Sequence, residues 1–261
     1  MGSLEGKIAI ITGAGSGIGR STALAFAREG ADMVIVGRRK GPLEEVSLEV
    51  EKAGHKAVVH SVDLEDGDAA AAVTDVAIAN FGRVDILVNN AGHGSKGRSM
   101  LHVGKKEFQS VHKINVEAVF RLTQTAVRDM VKRGDGTVIT VSSIAALTPG
   151  PLGGTAYSSA KAASYNMMRG LYSDLRNRGI RACTILPGEV NTPIMDNRPL
   201  PPSQDARETM MHPDDIAAAI LLCAAMPKRT QVHEVVLLPT QPRDAAEELK
   251  VASEMIPEED E

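Results

Sequence analysis

Seven short aliphatic runs punctuate the chain, at residues 7–12, 31–36, 57–62, 84–88, 136–141, 180–186 and 232–238. Stretches of helical periodicity separate them, at 18–28, 43–53, 69–79, 105–131, 158–177 and 213–225. A strand reached from its neighbour through a helix runs parallel to it, by a right-handed crossover, and the helices then cover both faces of the sheet. The pattern therefore predicts an α/β fold, a single doubly wound, Rossmann-type domain with a seven-stranded parallel sheet. Strands buried on both faces need aliphatic side chains. The composition supplies them: 43% of residues are hydrophobic while 3% are aromatic, with no Trp.

The domain is expected to span 1–240. An insertion at 191–211 holds Pro193, Pro199, Pro201 and Pro202 and follows the sixth strand, where a lid over a ligand site would hang. Residues 241–261 read as a charged C-terminal tail. The 29 basic and 33 acidic residues leave a net charge of −4, and Glu258, Glu259, Asp260 and Glu261, read as solvated, account for all of it. A body so balanced gives no reason to expect nucleic acid or an anionic membrane as a partner. Cys183 and Cys223 sit in apolar stretches without metal-ligand spacing and read as buried free thiols, and no metal is expected. No run of about 18 apolar residues and no apolar leader occurs, so the expected compartment is the cytoplasm.

Thr12-Gly13-Ala14-Gly15-Ser16-Gly17-Ile18-Gly19 follows the first strand and opens the first helix. Glycines there allow positive φ and close backbone approach, and the open amides of a helix N-terminus receive a pyrophosphate. Gly13, Ser16, Gly17, Ile18 and Gly19 are thus candidate dinucleotide contacts. An acidic residue at the end of the second strand would bind a ribose 2′-hydroxyl. Arg38 and Arg39 stand there instead. Guanidinium groups form charge-assisted bonds to phosphate, which favours NADP(H) over NAD(H).

Tyr157 and Lys161 are four residues apart at the start of a predicted helix and share one of its faces. An ammonium near a phenol favours the phenolate and brings it toward acid/base work. Around this pair, Asn89-Asn90-Ala91-Gly92 follows the fourth strand, Asn115 lies in the long helix, Ser142-Ser143 ends the fifth strand, and Pro187-Gly188 and Thr192 follow the sixth.

In this order the motifs resemble the short-chain dehydrogenase/reductase family, from about Gly6 to Pro239. The resemblance implies an oxidoreductase that transfers a hydride between a nicotinamide coenzyme and a small carbonyl or secondary alcohol substrate. It implies that Tyr157 donates or removes the proton and that Lys161 binds the nicotinamide ribose and lowers the tyrosine pKa. Ser143 would hold the reacting oxygen, with Ser142 as the fallback, and Asn115 would hold a water in a proton relay. Asp63 and Leu64 would meet the adenine, Asn89 would tie the central strands together and, with Ala91 and Gly92, border the cofactor, and Pro187, Gly188, Val190 and Thr192 would contact its nicotinamide end. A homodimer or homotetramer is implied, built across the helices beginning near Lys105 and Ser158. Competing readings are an NAD(H)-dependent member of the same family and a non-catalytic dinucleotide sensor or scaffold. The connection from Ser143 to Tyr157, rich in Gly and Pro, is one residue longer than the family's usual one, and the last strand lacks the usual Gly-Gly turn. Of the remaining polar residues, His93 is read as a loop histidine or a pocket residue, Tyr172 as packing or a subunit contact, and Glu189 as a charge near the cofactor mouth.

Overall fold

The computed structural model describes residues 2–257. In chain order the major elements are β1 (Ile8–Thr12), α1 (Gly17–Arg28), β2 (Asp32–Gly37), α2 (Lys40–Lys52), β3 (Ala57–Ser61), α3 (Gly67–Phe81), β4 (Ile86–Asn89), α4 (Lys105–His112) and α5 (Ala118–Arg133). They continue with β5 (Gly136–Val141), α6 (Gly154–Leu175), β6 (Ile180–Pro187), α7 (Gln204–Glu208), α8 (Pro213–Ala225), β7 (Glu234–Leu237) and α9 (Ala246–Glu254). The strands form one seven-stranded sheet in the order β3-β2-β1-β4-β5-β6-β7, and every pairing is parallel.

Alternation along each strand divides the core in two. Ala9, Ile11 and Val88 face the side where Phe26 of α1, Leu43 of α2 and Ile216 of α8 pack. Ile10 and Leu87 face the other, against Val73 of α3, Leu122 of α5 and Met168 of α6. Local chemistry fixes several helix ends. The Asp66 carboxylate accepts from the amides of Asp68 and Ala69 at the start of α3, and Gly82 closes that helix in the left-handed conformation at φ 79°. No helix among the described residues is long and apolar enough to cross a membrane.

Three stretches differ from the sequence expectation. The helix expected at 105–131 is divided by one wider π-helical turn, Lys113–Glu117, which holds Asn115. Such a turn takes in an extra residue, a backbone event that side-chain periodicity does not record. The insertion at 191–211 is largely ordered, with a short helical turn at Pro193–Asn197, the helix α7, and a bridge from Val190 to Met211. Residues 241–257, the larger part of the expected charged tail, carry α9, in which Glu248 and Ala252 are buried. The physical reason is a charge pairing, described below, that a count of charges cannot reveal. Glu258, Glu259, Asp260 and Glu261 lie outside the described residues.

What positions the ligand site is the splitting of the chain after β1 and β4, neighbours in the sheet whose onward connections diverge and leave a crevice at their carboxyl ends. Thr12 pins the two strand ends together. Its hydroxyl donates to the Val88 carbonyl at 3.3 Å and accepts from the amides of Asn90 at 2.9 Å and Ala91 at 3.0 Å. The Asn90 side chain answers by donating to the Thr12 carbonyl at 2.9 Å. Replacing the hydroxyl with a methyl keeps the volume and leaves two amides without an acceptor, so Thr12→Val should lower stability by about 2 kcal/mol. Urea unfolding of the variant beside the parent measures this.

Candidate active site

A cleft of about 440 Å³ runs along the carboxyl ends of the central strands. Its floor is the glycine turn. Gly13, at φ 66°, would place a Cβ 2.8 Å from Asn90 Nδ2, and Gly17, at φ 52°, would place one 3.1 Å from Thr192 Cγ2. Only glycine leaves this cradle open. Behind it α1 begins with Ser16, whose side chain makes no capping bond, and its first turn has no acidic residue. Its free amides and positive dipole end therefore face an anion-sized space, which fits a pyrophosphate. At the far end the exposed Arg38 and Arg39 line the cleft, and neither forms an ion pair among the described residues.

Ser16, Ile18, Asp63, Leu64, Ala91, Gly92, Pro187, Gly188, Val190 and Thr192 also line the cleft. Two expected contacts do not. Gly19 serves packing, since a Cβ there would overlap the Gly13 carbonyl oxygen. Asn89 is buried and donates to Thr123 Oγ1 at 2.9 Å and Thr140 Oγ1 at 3.4 Å. Successive side chains at a strand end point to opposite sides, so Asn90, which the sequence reading passed over, reaches the glycine turn in its place. Strand alternation in Asn89-Asn90 is the signal that could have found it.

Tyr157 and Lys161 lie in the first two turns of α6. Lys161 is buried, its Nζ donates to the Val141 carbonyl at 2.9 Å, and it sits 5.6 Å from the centre of the Tyr157 ring. Burial pushes the Lys161 ammonium down to about 8. Burial also pushes the Tyr157 phenol up, against the opposing pull of a hydrogen bond with Ser143 and the positive charges of Arg98 and Arg198. In the protein alone desolvation wins, and the cations acting on the phenol are arginines. Ser143 faces Tyr157, whereas the Ser142 hydroxyl is committed to the Lys161 carbonyl at 2.9 Å. Asn115 donates through Nδ2 to the carbonyls of His93 and Val111, and its buried Oδ1 has no partner. A Cβ on Gly92 would overlap that Oδ1 and stand 3.3 Å from Lys161 Nζ, so the glycine keeps open the space the two groups share. A bridging water fits there chemically.

Beyond Tyr157 opens a second cavity of about 1610 Å³. Its walls include the segment after Gly92, the Ser143–Tyr157 connection, Ile194 to Arg198 of the insertion, and Met255 to Pro257 after α9. His93 enters this wall with Nε2 3.0 Å from the Glu65 carboxylate, to which Ser110 also donates. Tyr172 lies elsewhere, stacked at a tilt against His233 with Arg176 over its ring. Cys183 and Cys223 are free, buried thiols with their sulfurs 3.3 Å apart.

Four charges join the insertion to α9. Arg243 donates to Glu189 at 2.7 and 2.8 Å and to Glu248 at 2.8 Å, and Arg198 donates to Glu189 at 2.7 Å and Glu248 at 3.2 Å. Burial alone would raise the Glu189 carboxyl, but Arg243 and Arg198 outweigh it and hold it below the usual carboxylate range. Removing one member strands buried charge. Arg243→Met should therefore lower the opening free energy of α9 by about 3 kcal/mol, read by hydrogen exchange at the amides of Ala246–Glu254. Because the Glu189 pKa is depressed on folding, its contribution is present above the ordinary glutamate pKa of about 4.3 and is lost as pH falls through the lower folded value. The same amides should lose protection in acid.

Comparison with known proteins agrees with this architecture. A family model described as short chain dehydrogenase matches residues 7–201. The 3-oxoacyl-(acyl-carrier-protein) reductase of Thermotoga maritima is 32% identical over 231 residues, covering 85% of this chain and 92% of that protein. The 7alpha-hydroxysteroid dehydrogenase of Escherichia coli K12 is 34% identical over 230 residues, covering 85% of this chain and 88% of that protein. Among solved structures, a metagenomic short-chain oxidoreductase in complex with NADP superposes with a TM-score of 0.80 at 30% identity, over 92% of this chain and all of that one.

Proposed function

The chain belongs to the short-chain dehydrogenase family and is an oxidoreductase, and on that premise we propose that it is an NADP(H)-dependent enzyme acting on a carbonyl or secondary alcohol, with Tyr157 as general acid and base. The observation that carries this reading is that Tyr157 and Ser143 line both the dinucleotide cleft and the larger cavity beyond it. A group at that junction can touch a substrate oxygen while facing the coenzyme.

When bound, the nicotinamide supplies or accepts the hydride. The rest is the work of this chain. The open amides at the start of α1 hold the pyrophosphate, and Arg38 and Arg39, unpaired at the end of β2, suit a 2′-phosphate. The NADP in the metagenomic relative supports the same coenzyme choice. Tyr157, its phenol kept protonated by burial, gives its proton to the carbonyl oxygen in reduction and takes it back in oxidation. Ser143 holds that oxygen by a hydrogen bond. Lys161 would bind the nicotinamide ribose and, with Asn115 and a water in the space beside Gly92, would return a proton to the phenol. We read the enzyme as cytoplasmic, in keeping with two free thiols, and as a homodimer or homotetramer. Phe108 of α4 and Phe120 of α5 are both more than two-fifths exposed, which supports a subunit contact on those helices. A purely monomeric mass by light scattering would overturn the assembly.

The test is NADPH and NADH oxidation followed at the nicotinamide absorbance with a panel of ketones, aldehydes and diketones. NADPH should be the better coenzyme, and Arg38→Ala should raise its KM about 10-fold or more with little change for NADH. Tyr157→Phe should lower kcat by about 100-fold or more while NADPH still binds. Reduction draws a proton from Tyr157 and Lys161, so its kcat/KM should fall as pH rises past about 8. Equal efficiency with both coenzymes would refute the NADP assignment, and failure to bind either would refute the whole reading.

A further inference from the structure

A buried charge on the wall of the larger cavity has no ion-pair partner among the described residues. Arg98 is 7% exposed on the cavity wall that also holds Tyr157 and Ser143. Its Nη1 donates to the Gly153 carbonyl at 2.9 Å, its Nε is buried without a partner, and its Nη2 makes no hydrogen bond among the described residues. No carboxylate among them pairs with it. Glu107, the acid that acts on it electrostatically, is already used: its two oxygens accept from the amides of Lys96 at 2.7 Å and Gly97 at 3.0 Å. The neighbouring Arg198 adds positive charge but is itself matched within the Glu189, Arg243, Glu248 group.

The chain makes room for this guanidinium. A Cβ on Gly94 would stand 2.7 Å from Arg98 Nη1, and one on Gly154, at φ 73°, would stand 2.8 Å from Arg98 Cδ. Holding an unpaired cation in such a place is costly, and burial pulls even this guanidinium down to about 10. The arrangement makes sense when an anion completes it. The unpartnered Nη2 can donate to a carboxylate oxygen, and the charge of Arg98 reaches the Tyr157 phenol, so bound anion and reacting oxygen share one cavity.

We propose that Arg98 anchors a carboxylate of the substrate, so that the enzyme interconverts oxo acids and hydroxy acids. This rests on the oxidoreductase reading above. In the forward direction the oxo carbon gains a hydride from NADPH and its oxygen gains the Tyr157 proton, giving a hydroxy acid and NADP+. The carboxylate is unchanged and serves only to orient the ketone.

The experiment compares oxo acids of increasing carbonyl-to-carboxylate spacing with their methyl esters, using wild type, Arg98→Met and Arg98→Lys. For the best spacing, wild type should favour acid over ester by about 10- to 100-fold in kcat/KM, mainly through KM. The ratio should fall to near unity in Arg98→Met and recover in part in Arg98→Lys. A role confined to bracing the Gly153 loop, or to tuning Tyr157, would move acid and ester together and leave the ratio intact, which would overturn the proposal. So would a wild type that prefers the esters. Calorimetric titration of wild type with NADPH present, using the corresponding saturated acids and their amides, needs no variant and no turnover. Acids should bind and amides should bind at least about 10-fold more weakly, and equal binding refutes the carboxylate site. Neutral ketone turnover that vanishes in Tyr157→Phe would preserve the oxidoreductase reading even then.

Discussion

The arrangement of the site depends on one bracket, the exchange of hydrogen bonds between Thr12 and Asn90 across the ends of β1 and β4. Parallel strands that part company at their carboxyl ends leave main-chain groups with no ladder partner, and here a hydroxyl and an amide side chain supply the partners. Because Asn90 Nδ2 lies close to both Gly13 and Gly19, the same bracket sets how tightly the glycine turn can wind. The turn in turn aims the start of α1. A change at the bracket is therefore felt along the whole floor of the cleft, and the closeness of Asn90 Nδ2 and the Gly13 carbonyl explains why Gly19, which does not line the cleft, cannot carry a side chain.

Burial governs the chemistry on the other wall. Lys161 and Tyr157 are both drawn out of water, and desolvation moves each toward its neutral form, the ammonium down and the phenol up. A protonated phenol beside a lysine whose proton is easily lost is poised to deliver protons, and it becomes a base only when cations gather around it. Arg98 and Arg198 are two such cations already present. On the proposed mechanism, the space beside Gly92, between Lys161 and the unpartnered Asn115 Oδ1, is where the lost proton would be replaced.

Much of this was legible in the sequence, for reasons of range. Strand and helix alternation, the glycine turn and the Tyr157, Lys161 spacing are all written within a few residues, where backbone geometry converts directly into position. What escaped depends on pairs distant along the chain or on backbone detail. The π-helical turn around Asn115 inserts a residue without changing any periodicity. The segment after Pro239 looked like a charged tail because Arg243 and Glu248 find Glu189 and Arg198 only in three dimensions. Arg98 gave no signal at all, since an arginine in a loop is ordinarily solvated. Its meaning comes from Gly94 and Gly154, which are unremarkable until the fold brings them to its sides.

The two arginine environments of the larger cavity also differ in a way that sorts structure from recognition. Arg198 and Arg243 meet two carboxylates, so their group is neutral and binds the insertion to α9 without attracting an outside charge. Separating the loop from the C-terminal helix would expose or strand four charges. Arg98 has side-chain hydrogen bonding at Nη1 only, to Gly153 of the Ser143–Tyr157 connection, and has no ion-pair partner among the described residues. Its bond to Gly153 ties Arg98 to the connection that leads into Tyr157, which links the place of its charge to that of the phenol.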